Sequence, residues 1–341
     1  MTIRTADEFY KAISDGASAV EVELAQPVSL SRVAKPLTIS GVIDLSAGVA
    51  EWTSALSIVN CQGLTLDGLK LIGEPRATGG FVGRGVTVRG GTGLTIRRCA
   101  FSQLTQGIVF VGSEETAIIG CDFFEIQSDG VIGQEMRHIL IAENWFRRWK
   151  PQPGDHADLV QFHSTGAAAD VDGAILRDNL GDVFDEDMTQ GFWLQNPNFG
   201  GHRNILVERN LMFNTLWNSI GVGGCKDPVV RNNRLFKLAG SKYTPRIDTR
   251  GVPLTLEGNE APEYAFAKWG DPLPAGNMIN KPIDKAAFDA LRAEWLAKFR
   301  GAAAPVPTPV PAPAPAPAPS PAPPAPDLKA LRDRVQKARL E

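Results

Sequence analysis

The sequence predicts an all-β fold, a right-handed parallel β-helix of about nine coils, and three observations lead to it. A short block recurs nine times along the 341 residues: LTISGVID, LTLDGLKL, LTIRRCAF, AIIGCDFF, ILIAENWF, AILRDNLG, ILVERNLM, VVRNNRLF and LTLEGNEA. Each block alternates apolar and polar residues with period 2 and is rich in Ile, Leu, Val and Thr, the signature of strands rather than helices. Each also carries one fixed position, at Val42, Leu69, Cys99, Cys121, Asn144, Asn179, Asn210, Asn233 and Asn259, so that neighbours stand 27, 30, 22, 23, 35, 31, 23 and 26 residues apart. Near-regular repeats of that length mean a solenoid. Leucine-rich repeats are the competitor, but their L-x-x-L-x-L consensus is absent.

The elements follow in order. Residues 1–24 read as a capping helix and a lead-in strand. Thr5 and Glu8 make a capping box, and Phe9, Tyr10 and Ile13 are expected to face the first coil. A solenoid needs such covers because its open ends would otherwise template aggregation. Residues 25–260 are the β-helix. The fixed Asn positions suggest a side-chain ladder in which Asn takes left-handed backbone at a turn and bonds its equivalent one coil away. Cys99 and Cys121 share that column, which argues for burial, and Cys61 and Cys225 show no metal or redox spacing either. Residues 261–301 read as a C-terminal cover containing a helix over 284–300, with Asp284 as N-cap and Phe288, Leu291, Trp295 and Phe299 on one face.

Residues 302–326 are almost wholly Pro and Ala. Such a run is a stiff polyproline spacer reaching about 75 Å. Residues 327–341 then read as a short amphipathic helix with Leu328, Leu331, Val335 and Ala338 at a/d-like spacing. Too short to stand alone in water, it calls for a larger protein assembly or further copies of itself, a homotrimer among them. A disordered tail is the alternative.

A second strand appears in each central coil: QGIVFVG, DGVIGQ, DLVQFHS, QGFWLQN and NSIGVGG. Stacking them puts Ile108, Val131, Val160, Phe192 and Ile220 in one inward column, and Phe110, Gly133, Phe162, Leu194 and Val222 in the next. The residues between face out, because strand side chains alternate. Nine registering coils of this kind resemble the pectate-lyase-like, right-handed parallel β-helix superfamily. That superfamily includes polysaccharide lyases, polygalacturonase-type hydrolases, epimerases and phage tailspikes. The likeness covers roughly residues 25–260 and implies the fold. No lyase or polygalacturonase signature is intact, so no catalytic residue carries over.

Composition excludes some classes. A net charge of −3 gives nucleic acid no basic face to bind. No run of about 18 apolar residues could span a membrane. The N-terminal segment lacks a basic region followed by an apolar run, so no signal peptide is expected and the protein should be made in the cytoplasm.

The two longest spacings, 35 and 31 residues, place inserted loops beside the strands at 158–164 and 190–196, and insertions in solenoids gather on the binding face. One outward column there reads Gln106, Asp129, Asp158, Gln190, Asn218, the next Val109, Ile132, Gln161, Trp193, Gly221, and the third Val111, Gln134, His163, Gln195, Gly223. Gln134, Gln161, Gln190, Trp193, Gln195 and Asn218 are the expected substrate-binding residues. Amides bond hydroxyls, and the resemblance implies an indole stacking on a sugar ring. An ordinary solvated face is the alternative.

Asp129 and Asp158, one coil or about 4.8 Å apart, are the candidate catalytic pair. Close carboxylates drive one pKa up, which suits an acid and its base or nucleophile. His156 and His163 would be proton carriers. The bland reading is that both Asp side chains cap turns. A lyase would need a cation, for which Arg147, Arg148 and Lys150 are candidates. The resemblance implies Ca²⁺ in some members, and Asp182, Asp185, Glu186 and Asp187 offer oxygen ligands.

The expected function is a virion-associated spike or fibre that binds, and in one version cleaves, a bacterial surface polysaccharide. The rivals are a free polysaccharide lyase or glycoside hydrolase, and a structural protein that binds no sugar.

Overall fold

A computed structural model describes residues 2–301 apart from 78, 185, 186, 196, 250, 251, 253 and 266–271. The Pro/Ala spacer, the helix expected over 327–341, and Asp185 and Glu186 therefore lie outside the described residues.

The fold is a parallel β-helix. A central coil contributes three strands, for example Glu114–Ile119, Asp122–Phe124 and Val131–Gln134. The first and second strands of every coil stack into one 20-stranded sheet bent along its length, and the third strands into a 10-stranded sheet. Pairing between coils is parallel and in register, apart from a shift between Asn218 and Ile220; a small hairpin, Glu74–Pro75 with Phe81–Val82, is antiparallel. All nine sequence blocks are strands of the bent sheet, and all but the first break at the fixed position.

That bend is held by a ladder of amides. Asn179 Nδ2 donates to Ile141 O at 2.9 Å and to Asn210 Oδ1 at 2.9 Å, while the Asn179 backbone N–H donates to the same Oδ1 at 3.0 Å. The pattern repeats from Asn144 through Asn210 and Asn233 to Asn259, and runs one step further, to Asn277. Two details differ from the sequence reading. The left-handed residue is the one before each Asn: Glu143, Asp178, Arg209 and Asn232 have φ between 53° and 59°. The Asn must instead turn its amide along the solenoid axis, which ordinary backbone allows. At the first block, Val42 pairs with Lys70, so the column enters at Gly41, one residue earlier than read.

Inside, identical positions stack coil upon coil. Phe101, Phe123 and Phe146 lie with ring centroids 4.8 Å apart and nearly parallel, the spacing of neighbouring strands. All four cysteines are buried free thiols.

Helix α1, Ala6–Ser14, starts at the Thr5–Glu8 capping box and buries Phe9. Tyr10 instead stays 44% exposed, its hydroxyl accepting from the Ser29 N–H at 3.1 Å. Helix α2, Lys285–Arg300, is capped by Asp284, but it lies along the flank of the solenoid instead of over its end. The second strands carry outward apolar residues (Trp145, Leu180, Leu211, Phe213, Phe236), and Phe288 and Trp295 of α2 bury against them. Arg300 at its far end donates to the carbonyls of Gly120 and Cys121. Among the described residues no helix is long and apolar enough to cross a membrane.

Candidate functional site

The outer face of the 10-stranded sheet has the register expected: Val109, Ile132, Gln161, Trp193 and Gly221 are paired in series. In the row beside it Asp158 pairs with Gln190. That row is not an open ladder, however. Asp129 is 4% exposed and Asp158 0%. Their cover is the loop between the strands Trp145–Arg147 and Asp158–Phe162. Trp149, fully buried, donates its indole N–H to Ser128 O at 2.6 Å, and Gln127 Nε2 donates to Asp155 Oδ2 at 3.0 Å. Pinned to the previous coil in this way, the loop hangs His156 over Asp158.

The result is a directed hydrogen-bond chain. Asn218 Nδ2 donates to Gln190 Oε1. Gln190 Nε2 is then the donor to His156 Nε2 at 2.7 Å, which leaves the imidazole proton on Nδ1, donated to Asp158 Oδ2 at 3.0 Å. Gln161 Nε2 donates to the same oxygen at 3.1 Å. The tautomer follows from this network. The His156 side chain keeps 52% of its surface exposed, and its ring meets the half-buried Trp193 edge-on at 5.2 Å. Asp158 Oδ1 and Trp193 Nε1 are buried without a hydrogen-bond partner among the described residues, and such groups are costly unless something completes them.

Asp129 sits behind, accepting from the Asp158 N–H at 3.1 Å and from Ser128 Oγ at 3.0 Å. Burial, and then the neighbouring Asp158 charge, push its pKa up to about 7. Burial pushes Asp158 up to about 6, moderated by His156. The hydrogen bond to Asp158 raises His156. The two carboxylates are thus neighbours, but the titratable group open to solvent is His156, hydrogen-bonded to Asp158, with Asp129 buried beneath.

Several expected residues fall elsewhere. His163 follows Asp158 by five positions, about 16 Å along an extended strand. Its Nδ1 contacts Gln134 Nε2 at 3.2 Å, and Gln134 also bonds Thr165 O, so Gln134 and His163 form a separate pair. Gln195 lies one residue past the strand Gln190–Leu194, and its carbonyl accepts from the buried His202. Arg147 belongs to the α2 flank, paired with Asp122 at 2.7 Å and lying over the Phe124 and Trp145 rings. Arg148 faces Glu125 at 3.4 Å. Neither guanidinium serves the His156 site.

Among the described residues, no three His, Cys, Asp or Glu side chains converge as a metal site. Asp182 lies under α2, where it accepts from Trp145 Nε1 at 3.3 Å and faces Arg292 at 3.5 Å. Asp187 accepts from the Phe184 N–H. With a guanidinium already against it, Asp182 does not fit a Ca²⁺ site.

No protein-family model matches the chain, and no curated protein matches it in sequence. Solved structures do. The Dettilon tailspike protein is 12% identical, with a TM-score of 0.48, over 83% of this chain and 63% of its own. A tailspike of Acinetobacter baumannii bacteriophage Fri1, a capsular polysaccharide depolymerase, is 11% identical, with a TM-score of 0.47, over 85% and 63%. An alginate lyase from Paenibacillus sp. str. FPU-7 is 11% identical, with a TM-score of 0.42, over 83% and 99%. The chain spans less than two thirds of either tailspike, and the likeness is one of fold.

Proposed function

We propose that this chain binds a carbohydrate polymer on the outer face of its 10-stranded sheet, centred on His156, Gln161 and Trp193, and that it does so as a virion-associated spike engaging a bacterial surface polysaccharide. The carrying observation is the pairing of a half-exposed indole and imidazole with buried polar atoms, Asp158 Oδ1 and Trp193 Nε1, that lack partners among the described residues. Sugars offer an apolar ring face together with hydroxyls that both donate and accept, which is the complement of this arrangement. The Pro/Ala run and the amphipathic segment 327–341 support attachment to a larger assembly at the level of sequence.

The test is retention of extracted capsular and O-antigen polysaccharides by the purified protein. Trp193→Ala is expected to weaken binding by about 1–3 kcal/mol, by analogy with aromatic platforms that stack nucleobases. Unchanged binding removes Trp193 from the site, and no retention by the folded wild type removes the reading.

A second reading, cleavage of the bound chain, is favoured by the His156–Asp158 contact. An exposed imidazole oriented by a buried carboxylate can move a proton at the glycosidic oxygen or the ring. New reducing ends or unsaturated uronate absorbance, formed by the wild type and lost in His156→Gln at saturating polysaccharide, would establish it. Binding with neither product would leave a protein that recognises without cutting.

A further inference from the structure

The polar row continues beyond Gln190. Asn218 is paired, one strand on, with Arg246, and the two repeat the feature seen at Asp158. Asn218 is only 8% exposed, yet its Oδ1 has no hydrogen-bond partner among the described residues, and neither has the buried Nε of Arg246. One is an acceptor and the other a donor, on adjacent strands. The remaining guanidinium nitrogens face Asp248 at 3.4 Å and Glu263 at 3.6 Å, so two carboxylates already answer the one cation and a neutral polar group suits the gap better than an anion. Immediately before Asn218 stands Trp217, 55% exposed. Its ring meets Tyr243 at 5.6 Å and 88°, so the two rings form a right-angled corner that adjoins Asn218 along the chain.

We propose that Trp217, Tyr243, Asn218 and Arg246 form a second sugar-binding subsite, and that the carbohydrate chain therefore lies along the solenoid axis, crossing the strands. This rests on the binding function proposed above. The strand that opens with Asn218 is two strands beyond the one that His156 precedes, or about 10 Å at the usual spacing, a distance that linked sugar units bridge. One hydroxyl, donor and acceptor at once, answers both Asn218 Oδ1 and Arg246 Nε, while its ring packs into the corner. An exposed indole alone would carry nothing. Trp52 is also 55% exposed, but Arg84 already lies over its ring at 4.8 Å, which makes it the control.

The experiment is calorimetric titration with disaccharide and octasaccharide fragments of a capsular polysaccharide that the wild type retains. The octasaccharide is expected to bind more tightly than the disaccharide. Trp217→Ala should lower octasaccharide affinity about tenfold and so close most of the gap between the two fragments, whereas Trp52→Ala should change neither. Trp217 is exposed, so the variant is expected to keep the wild-type unfolding temperature, which is measured alongside. If Trp193→Ala weakens the octasaccharide and Trp217→Ala does not, the second subsite is wrong and the binding function stands. If the folded wild type retains no polysaccharide, both fall.

Discussion

Asn210→Ala is expected to lower stability by about 5 kcal/mol, measured as a shift in urea unfolding midpoint. The residue is 1% exposed. Its Nδ2 donates to Leu176 O and Asn233 Oδ1 at 2.9 Å, and its Oδ1 accepts from both the backbone N–H and the Nδ2 of Asn179, at 3.0 and 2.9 Å. Alanine strands two or three of these groups where water cannot replace the partner, at about 1–3 kcal/mol each. The comparison is Asn277→Ala. That residue ends the ladder, with some of its partners exposed, and truncation there should cost about 1 kcal/mol. Equal losses at the two positions would mean that the ladder acts through local turn geometry and not through amides sealed between coils.

Asp129→Asn should stabilise the protein, and more so as pH rises. The folded carboxyl is held near pH 7 by burial and by Asp158, against about 3.9 for an unperturbed Asp. Between those values the folded state keeps a proton that the unfolded state has released, so stability falls as pH climbs. The wild type therefore holds this contribution in full below about pH 4 and has lost it above about pH 7. Asn has no proton to lose and can still accept from the Asp158 N–H. The variant should match the wild type near pH 4, gain on it through the window, and lead by up to about 4 kcal/mol at pH 8. His156 is raised chiefly by its hydrogen bond to Asp158 and in part by the Asp129 charge itself, so its titration is followed in both proteins and its difference subtracted. A stability difference that is flat from pH 4 to 8 would show that Asp129 is not held protonated.

The fold was legible because it repeats. Nine blocks vote on one register, and an error at any single block, as at Val42, is absorbed by the rest. Asn277 escaped because it stands only 18 residues after Asn259 and no alternating block precedes it. The site was legible as a set of neighbours: stacking the corresponding strands of successive coils placed Asp129, Asp158, Gln190 and Asn218 in one row. Its character was not. Burial of the two Asp side chains depends on Trp149 and Gln127 pinning a loop to an earlier coil, a long-range event with no periodic trace. The same holds for α2. Its apolar face was visible in the spacing of Phe288, Leu291, Trp295 and Phe299, but what that face covers depends on the outward residues of strands that stand from 52 (Phe236 to Phe288) to 150 (Trp145 to Trp295) positions earlier.

The lateral position of α2 also bears on how the chain reaches its native state. Neighbouring coils touch at sequence separations of a few tens of residues, so they can stack progressively as the polypeptide emerges, each on a finished template. The clasp of Arg300 on Gly120 spans 180 residues and can form only after the last coil. Until then Trp145, Leu180, Leu211, Phe213 and Phe236 make a continuous uncovered apolar stripe. The nascent solenoid is thus nearly complete while still adhesive, and docking of α2 is the step that removes this surface from competition between folding and aggregation.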